Sequence, residues 1–140
     1  MCGIAGYIGK AHLSSERISA GLDSMLFRGP DHRDHVNLEA GGRFCSLLHG
    51  RLSIIDLDER SNQPFVIGDY SLVFNGEIYN YVELRQRLVA DGVPLRTESD
   101  TEVLLYYYQK YGERCVDHFE GMWALAIFNQ RDGSLFLSRD

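Results

Sequence analysis

The chain has 140 residues and a formal net charge of −6 at pH 7, an acidic balance that argues against non-specific nucleic-acid binding. Its longest apolar run, residues 122–128, is far shorter than the roughly 20 residues of a membrane span, and residues 3–9 are too short and glycine-rich for a signal peptide. Three cysteines without a CxxC pair argue against a disulfide scaffold or a structural zinc site and favour the reducing cytoplasm.

The first half of the chain predicts one helix among short strands. Near-helical apolar spacing indicates a helix from Ser14 or Ser15 to about Phe27. The Gly-Pro pair within residues 28–31 ends that helix. Enrichment in β-branched and aromatic residues predicts strands at residues 3–8, 43–48, 51–55 and 71–75, the last of which ends at Gly76.

The second half predicts helices followed by a hairpin. Asn80 with Glu83, and Ser99 with Glu102, have the spacing of a capping box. We therefore expect one helix at residues 81–90 and a second that Ser99 opens and that ends at about residue 111. A short helix at 113–119 follows, and then a hairpin of strands 122–128 and 134–138 around residues 131–133.

This mixture of strands and helices predicts a single α+β domain over residues 1–140. The sequence shows no repeat, linker or low-complexity segment that would mark a second domain. It stops immediately after a predicted strand, so we expect a C-terminally incomplete domain whose last strands are absent.

Cys2 is the most informative position for chemistry. Removal of Met1 before this small residue would leave Cys2 with both a thiol and a free α-amine. An α-amine has a reference pKa of about 7.7–8.0, so it can act as a base near neutral pH. One residue could then supply nucleophile and base. The alternative is that Cys2 is an ordinary small hydrophobic residue.

Several ordered motifs resemble one family. They are residues 1–6 (MCGIAG), 28–31 (RGPD), 51–57 (RLSIIDL), 63–64 (QP), 75–80 (NGEIYN), 99–102 (SDTE), 121–122 (GM) and 138–140 (SRD). In this order and spacing the whole chain resembles the class II glutamine amidotransferase domain of asparagine synthetases, which are N-terminal-nucleophile hydrolases. The resemblance implies two stacked, mostly antiparallel sheets flanked by helices in αββα layers.

The resemblance implies hydrolysis of L-glutamine to glutamate and ammonia through a thioester. Cys2 would be the nucleophile, and the Asn75 side-chain amide with the Gly76 N–H would hold the oxyanion. Because Asn-Gly is also a common turn pair, a plain turn at residues 75–76 is the alternative.

Recognition of glutamine requires groups for its α-carboxylate and its α-ammonium. The resemblance assigns Arg51 to the carboxylate and Asp100 to the ammonium, with Glu77 and the backbone of Leu52 and Ile54 lining the rest. The alternatives are that Arg51 is a surface ion-pair partner and that Asp100 is a favourable residue at a helix N-terminus.

In the family, the ammonia passes to a C-terminal synthetase domain that amidates aspartate with ATP. We expect ATP and Mg only in that domain, which this sequence lacks, and no cofactor or metal here. Expected partners are L-glutamine and that domain, with no nucleic acid and no membrane, and a homodimer stays open. Alternative functions are a non-catalytic glutamine-binding or regulatory module, and an amidotransferase serving another acceptor such as a sugar.

Two departures from the family pattern bear on how well the site is positioned. Phe27 replaces the usual His before RGPD, and residues 48–50 read Leu-His-Gly where Gly-His-Arg is frequent. Separately, His32 and His35 flank acidic residues and could suggest a metal. Their expected position in a loop and the incomplete ligand set argue against it.

Overall fold

The first half of the chain forms a three-stranded antiparallel sheet covered by one helix. The computed structural model describes residues 2–140. The sheet has the order β1–β3–β2, with β1 at Gly3–Gly9, β2 at His32–Ala40 and β3 at Arg43–Arg51. Helix α1 (Ser15–Ser24) begins where the Ser14 hydroxyl accepts a hydrogen bond from the Arg17 N–H.

The second half forms a four-stranded antiparallel sheet covered by two helices. Its order is β4–β5–β6–β7. The elements are β4 (Phe65–Ile67), β5 (Tyr70–Ile78), α2 (Tyr81–Ala90), α3 (Asp100–Tyr111), a 3-10 helix (Gly112–His118), β6 (Gly121–Asn129) and β7 (Ser134–Arg139).

Alternation along the strands produces the predicted αββα layers. On β3, Cys45 and Leu47 face the second sheet, whereas Leu48 packs with Ile18 and Met25 under α1. The largest apolar cluster lies between the second sheet and helices α2 and α3. The side chains buried between the two sheets are Leu38, Cys45, Leu47, Val73, Ala126 and Phe128.

The structure confirms helix α2 at its predicted bounds and the C-terminal hairpin, but the predicted loop containing His32 and His35 is wrong. These residues begin β2, which pairs with β3 along its whole length. As the sheet's outer edge, β2 buries only Leu38. The first four residues of β2 are all polar and favour a loop, whereas residues 36–40 (VNLEA) alternate apolar and polar as a strand does, with Leu38 buried and Val36 and Ala40 packed beside it.

The predicted strand at residues 51–55 is also wrong beyond its first residue. Arg51 is the last residue of β3, and the chain then curls back so that Asp56 has a left-handed φ of 47°. The Arg51 guanidinium binds the carbonyl oxygens of Ile55, Asp56 and Asp58. A buried cation therefore bends a β-branched segment that would otherwise favour an extended strand.

The end of α1 and the cap at the start of α2 differ from the prediction. Helix α1 ends at Ser24 rather than Phe27, whose side chain is 98% exposed and so anchors no further turn. Asn80 makes no side-chain cap on α2. It instead donates to the His118 carbonyl at 3.0 Å and accepts from the Glu120 N–H at 3.1 Å, which ties the end of β5 to the start of β6.

No helix within residues 2–140 has the length and apolar character needed to cross a membrane. The apolar run at residues 122–128 forms part of strand β6.

Glu102 holds the N-terminal end of α3 in place. Its carboxylate is fully buried and accepts from the N–H groups of Arg96 at 3.0 Å and Thr97 at 2.7 Å, and from the Thr97 hydroxyl at 2.8 Å. Ser99 caps the helix as predicted, accepting from the Glu102 N–H at 3.4 Å. The Glu102 carboxylate therefore satisfies three donors of the segment that precedes α3.

We expect Glu102→Ala to lower the free energy of unfolding by about 2–4 kcal/mol, because buried donors lose their acceptor. Urea unfolding measures this. The control is Glu113→Ala on the exposed start of the 3-10 helix, for which we expect a change within about 0.5 kcal/mol. Equal midpoints for the two variants would contradict this role of Glu102.

Candidate active site

A single cavity of about 110 Å³ lies where the start of β1, the end of β3 and the end of β5 meet. Every residue that the sequence assigned to the site lines it: Cys2, Arg51, Leu52, Ile54, Asn75, Gly76, Glu77 and Asp100. Residues from four separate segments of the chain thus line one cavity, while their individual roles stay predictions.

Cys2 is held at the cavity by the chain after β3 and by the RGPD loop. Its Sγ accepts a hydrogen bond from the Leu52 N–H at 3.4 Å and donates one to the Leu52 carbonyl oxygen at 3.7 Å. Arg28 Nε donates to the Cys2 carbonyl oxygen at 3.1 Å. Asp31 in the same loop accepts from the Ser53 N–H at 2.7 Å. Met1, whose removal the sequence predicts, lies outside the described residues.

The end of β5 has one edge that no strand covers. β4 pairs only with residues 70–72 of β5. Beyond it, the Phe74 N–H donates to Gln63 Oε1 at 2.6 Å and the Ile78 N–H donates to Asp100 Oδ2 at 3.1 Å. Side chains therefore replace the missing strand at these two positions.

Gly76 lies between these two positions on the same edge. Gly76 lies opposite Trp123 on β6, but the N–H and carbonyl of Trp123 bond to Asp140 on the other side of β6. Gly76 and Trp123 are therefore a pair without hydrogen bonds between them, and the Gly76 N–H points away from β6. No side chain within residues 2–140 accepts from it. This edge thus presents one unpaired N–H at the cavity, beside the Asn75 side chain.

The backbone at Gly76 approaches β6 too closely for any side chain. A Cβ at this position would lie 2.2 Å from the Met122 carbonyl oxygen and 2.7 Å from Trp123 Cα. Glycine is therefore required here for close approach, which keeps the end of β5 in the ladder while its free N–H faces the cavity.

Arg51 brings a buried positive charge to the cavity. Its side chain is tied to the loop after β3: besides the carbonyl oxygens of that loop, it donates to Asn62 Oδ1 at 2.6 Å. The terminal N–H groups of the fork thus already face loop oxygens. Binding of a carboxylate by this fork requires the loop to give up some of these bonds.

Asp56 links that loop to the segment that leads into α3. Its carboxylate accepts from the Ser61 hydroxyl at 2.8 Å and from the Glu98 N–H at 2.7 Å. Burial on its own raises the pKa of Asp56, but hydrogen bonds from Glu98, Ser61 and Asp58, together with Arg60, outweigh burial and hold the pKa below its usual value.

Asp100 brings a buried carboxyl group to the same cavity at the first turn of α3. Burial raises its pKa to about 6. The N–H groups of Ile78 and Thr101 oppose this rise, and the charge of Glu77 adds to it. Arg51 and Asp100 give the cavity both signs of charge, as an amino-acid ligand with both termini free requires.

Sequence reasoning missed two buried residues next to this site. Gln63, known only as part of a Gln-Pro pair, lines the cavity. His49, known only as part of a departure from the family pattern, is fully buried with Nε2 at 3.2 Å from the Phe74 carbonyl oxygen. Neither sequence pattern indicates which backbone groups these side chains reach.

The departures at residues 27 and 48–50 lie outside the lining of the cavity, and Phe27 is exposed to solvent. Leu48 fills the space under α1. Gly50 lies against Gly29 in the RGPD loop, where a Cβ on Gly29 would meet the Gly50 carbonyl at 2.1 Å. Among the described residues, no group of three or more His, Cys, Asp or Glu side chains is arranged to hold a metal ion.

We expect iodoacetamide to alkylate Cys2 much faster than the other two cysteines in the native protein. Cys2 is partly exposed, whereas burial raises the pKa of the Cys45 thiol to about 11 and that of the Cys115 thiol to about 12. Peptide mass spectrometry measures the sites, with Cys2→Ser as the control. Equal labelling of all three in folded protein would contradict the structure.

The chain matches the family described as the glutamine amidotransferase domain over residues 1–140. It is 41% identical to asparagine synthetase [glutamine-hydrolyzing] 1 of Bacillus subtilis, with 100% of this chain and 22% of that protein aligned. It is 37% identical to putative asparagine synthetase [glutamine-hydrolyzing] 2 of Methanocaldococcus jannaschii, with 100% of this chain and 30% of that protein aligned. The chain thus spans less than a third of the length of these relatives.

A solved structure with a similar fold is that of the glutamine phosphoribosylpyrophosphate amidotransferase from B. subtilis, complexed with ADP and GMP. The two align with a TM-score of 0.74 at 19% identity over 98% of this chain and 37% of the other. This likeness confirms the fold class that the motifs implied. The family match over the whole chain shows that the chain belongs to the glutamine amidotransferase domain family.

Proposed function

We propose that this domain hydrolyses L-glutamine to glutamate and ammonia with Cys2 as nucleophile. The observation that carries the proposal is the shared cavity that joins Cys2 to the unpaired Gly76 N–H and the Asn75 side chain. A nucleophile and oxyanion donors in one small cavity suit attack on a carboxamide. Arg51 and Asp100 supply the charges that would bind the α-carboxylate and α-ammonium groups of glutamine.

The proposed reaction consists of two acyl transfers, first from the carboxamide nitrogen to Cys2 and then from Cys2 to water. The Cys2 thiolate attacks the side-chain carbonyl carbon of glutamine, and the oxyanion accepts hydrogen bonds from the Asn75 amide and the Gly76 N–H. The α-amine of Cys2, free once Met1 is removed, carries the thiol proton to the leaving nitrogen. The C–N bond of the tetrahedral intermediate then breaks, which releases ammonia and leaves a γ-glutamyl thioester on Cys2. The same amine then takes a proton from water, which attacks the thioester and releases glutamate with the thiol restored.

We expect Cys2→Ala to lower glutamine hydrolysis by more than about 10³-fold, because no other group on the cavity is a thiol. A coupled assay for glutamate measures the rate in the full-length gene product. The matched control is Cys45→Ala, which removes a buried thiol between the sheets and leaves turnover intact. Comparable rates for Cys2→Ala and wild type would remove the nucleophile from the proposal.

We further propose that the ammonia serves a synthetase part of a longer protein that amidates aspartate. Support comes from the relatives at 37–41% identity, which are named as glutamine-hydrolysing asparagine synthetases and extend well beyond the aligned region. ATP and Mg would bind that part and not this domain. A reducing cytoplasm, which keeps the free Cys2 thiol reduced, is the compartment we propose.

Asparagine formation from aspartate and ATP in the full-length gene product tests the acceptor. We expect Cys2→Ala to abolish synthesis with glutamine as nitrogen source and to retain synthesis with ammonium chloride, because the two reactions use separate sites. Glutamate release without asparagine under either condition would contradict aspartate as the acceptor and leave glutamine hydrolysis standing.

The proposed role of Asp100 predicts a pH dependence of glutamine binding. The bound α-ammonium needs the ionised carboxylate, and burial raises the pKa of Asp100 to about 6 in the empty cavity. The KM for glutamine should therefore rise as pH falls through 6, by about tenfold at pH 5. In Asp100→Asn the KM should be high at every pH. A KM that is flat between pH 5 and 7 in the wild type would contradict this role.

A further inference from the structure

The peptide groups of Phe74 are held by side chains from outside its sheet. Phe74 immediately precedes the Asn75–Gly76 pair on β5. Its N–H donates to Gln63 Oε1 at 2.6 Å, and its carbonyl oxygen lies 3.2 Å from His49 Nε2. These two contacts fix both polar groups of the residue that leads into the proposed oxyanion site.

Gln63 occupies the place of a missing strand. In β4, Phe65 pairs with Leu72, and continuing this register by two residues brings Gln63 opposite Phe74. Pro64 has no N–H to extend the ladder. The Gln63 side chain makes the contact instead, and its Nε2 donates to Thr101 Oγ1 at 3.3 Å. Gln63 is 6% exposed, so its amide bridges β5 and α3 away from water.

His49 reaches the carbonyl group of the same residue, Phe74, from the other sheet. It lies on β3, two residues before Arg51, and is fully buried. Its Nδ1 has no hydrogen-bond partner within residues 2–140, so the neutral tautomer that donates from Nε2 to the Phe74 carbonyl fits best. Burial lowers the pKa of His49 to about 4, and although the Phe74 carbonyl opposes this, the charges of Arg51 and His32 add to it.

We propose that Gln63 and His49 are positioning residues for glutamine hydrolysis: by clamping the Phe74 peptide they direct the Gly76 N–H and the Asn75 side chain at the carbonyl that Cys2 attacks. This inference rests on the proposed function. Because β4 ends before Phe74, nothing else described on this edge fixes the peptide. Donors must be aligned where charge develops in the transition state, so loss of the clamp should act on kcat.

The decisive variants remove one contact each and are paired with conservative replacements. Gln63→Met keeps the length of the side chain without an acceptor, and Gln63→Glu restores an acceptor for the Phe74 N–H. His49→Phe removes the donor, and His49→Gln restores one at the position of Nε2. Gln86→Met on the exposed face of α2 is the matched control.

We expect Gln63→Met and His49→Phe to lower kcat for glutamine about 10- to 100-fold while KM changes less than about threefold. Gln63→Glu and His49→Gln should recover part of that loss, and Gln86→Met should equal wild type. Alkylation of Cys2 by iodoacetamide should keep its wild-type rate in every variant, because this displacement forms no oxyanion.

Unchanged kcat in both apolar variants overturns the proposal. A parallel fall in kcat and in the alkylation rate also overturns it, since that pattern indicates general disruption of the site. If Gln63→Met does not fold, Thr101→Val tests the proposal instead, because it removes only the hydroxyl that accepts from Gln63 Nε2. A kcat lowered severalfold supports the clamp, and an unchanged kcat opposes it.

The same assay separates this inference from the proposed function. Wild-type protein that releases no glutamate from glutamine refutes both. Wild-type turnover that is lost in Cys2→Ala but retained in Gln63→Met and His49→Phe refutes the clamp alone.

Discussion

The site depends on the early end of β4, which leaves one edge of β5 without a neighbouring strand. Backbone N–H groups along a buried edge must find acceptors or remain costly. Gln63 and Asp100 accept from the N–H groups of Phe74 and Ile78, and Gly76 between them stays unpaired. Because no strand pairs with β5 at this point, the Gly76 N–H is a free hydrogen-bond donor at the cavity.

The rest of the fold brings reactive and charged groups to that gap. The αββα layering stacks the sheet that carries Cys2 and Arg51 on the sheet that carries Asn75 and Gly76. Cys2 immediately precedes β1 and Arg51 ends β3 at the same end of their sheet, where Gly3 pairs with Gly50. Short connections from regular strands therefore place nucleophile, cation and oxyanion donors on one cavity, which is more rigid than a site built on loops alone.

Much of this could be predicted from the sequence where local signals were strong. Helix α2 between Asn80 and Asp91-Gly92 and the C-terminal hairpin are examples. The family resemblance, rather than local signals, selected the site residues that share one cavity. The start of strand β2 could not, because residues 32–35 are all polar, whereas residues 36–40 (VNLEA) carry a period-2 signal that the prediction of a loop did not use. The prediction of a strand after Arg51 was wrong because the buried Arg51 guanidinium binds carbonyl oxygens of this segment and folds it into a loop.

The roles of Gln63 and His49 were hidden for a related reason. Each side chain bonds to the backbone of a residue distant in sequence, and such a partner depends on where β4 stops rather than on the identity of Phe74. The Asn80 side chain is a further example, since it caps no helix and instead joins two strands. Tertiary hydrogen bonds to backbone groups leave no trace in composition, periodicity or spacing.

The most direct test of the central claim is mass spectrometry of the full-length gene product quenched in acid during turnover of glutamine. We predict a γ-glutamyl group attached to the N-terminal peptide through the sulfur of Cys2, with the α-amine of Cys2 free, and its disappearance when glutamine is exhausted. Steady release of ammonia from a protein whose Cys2 stays unmodified at every quench time would contradict the account.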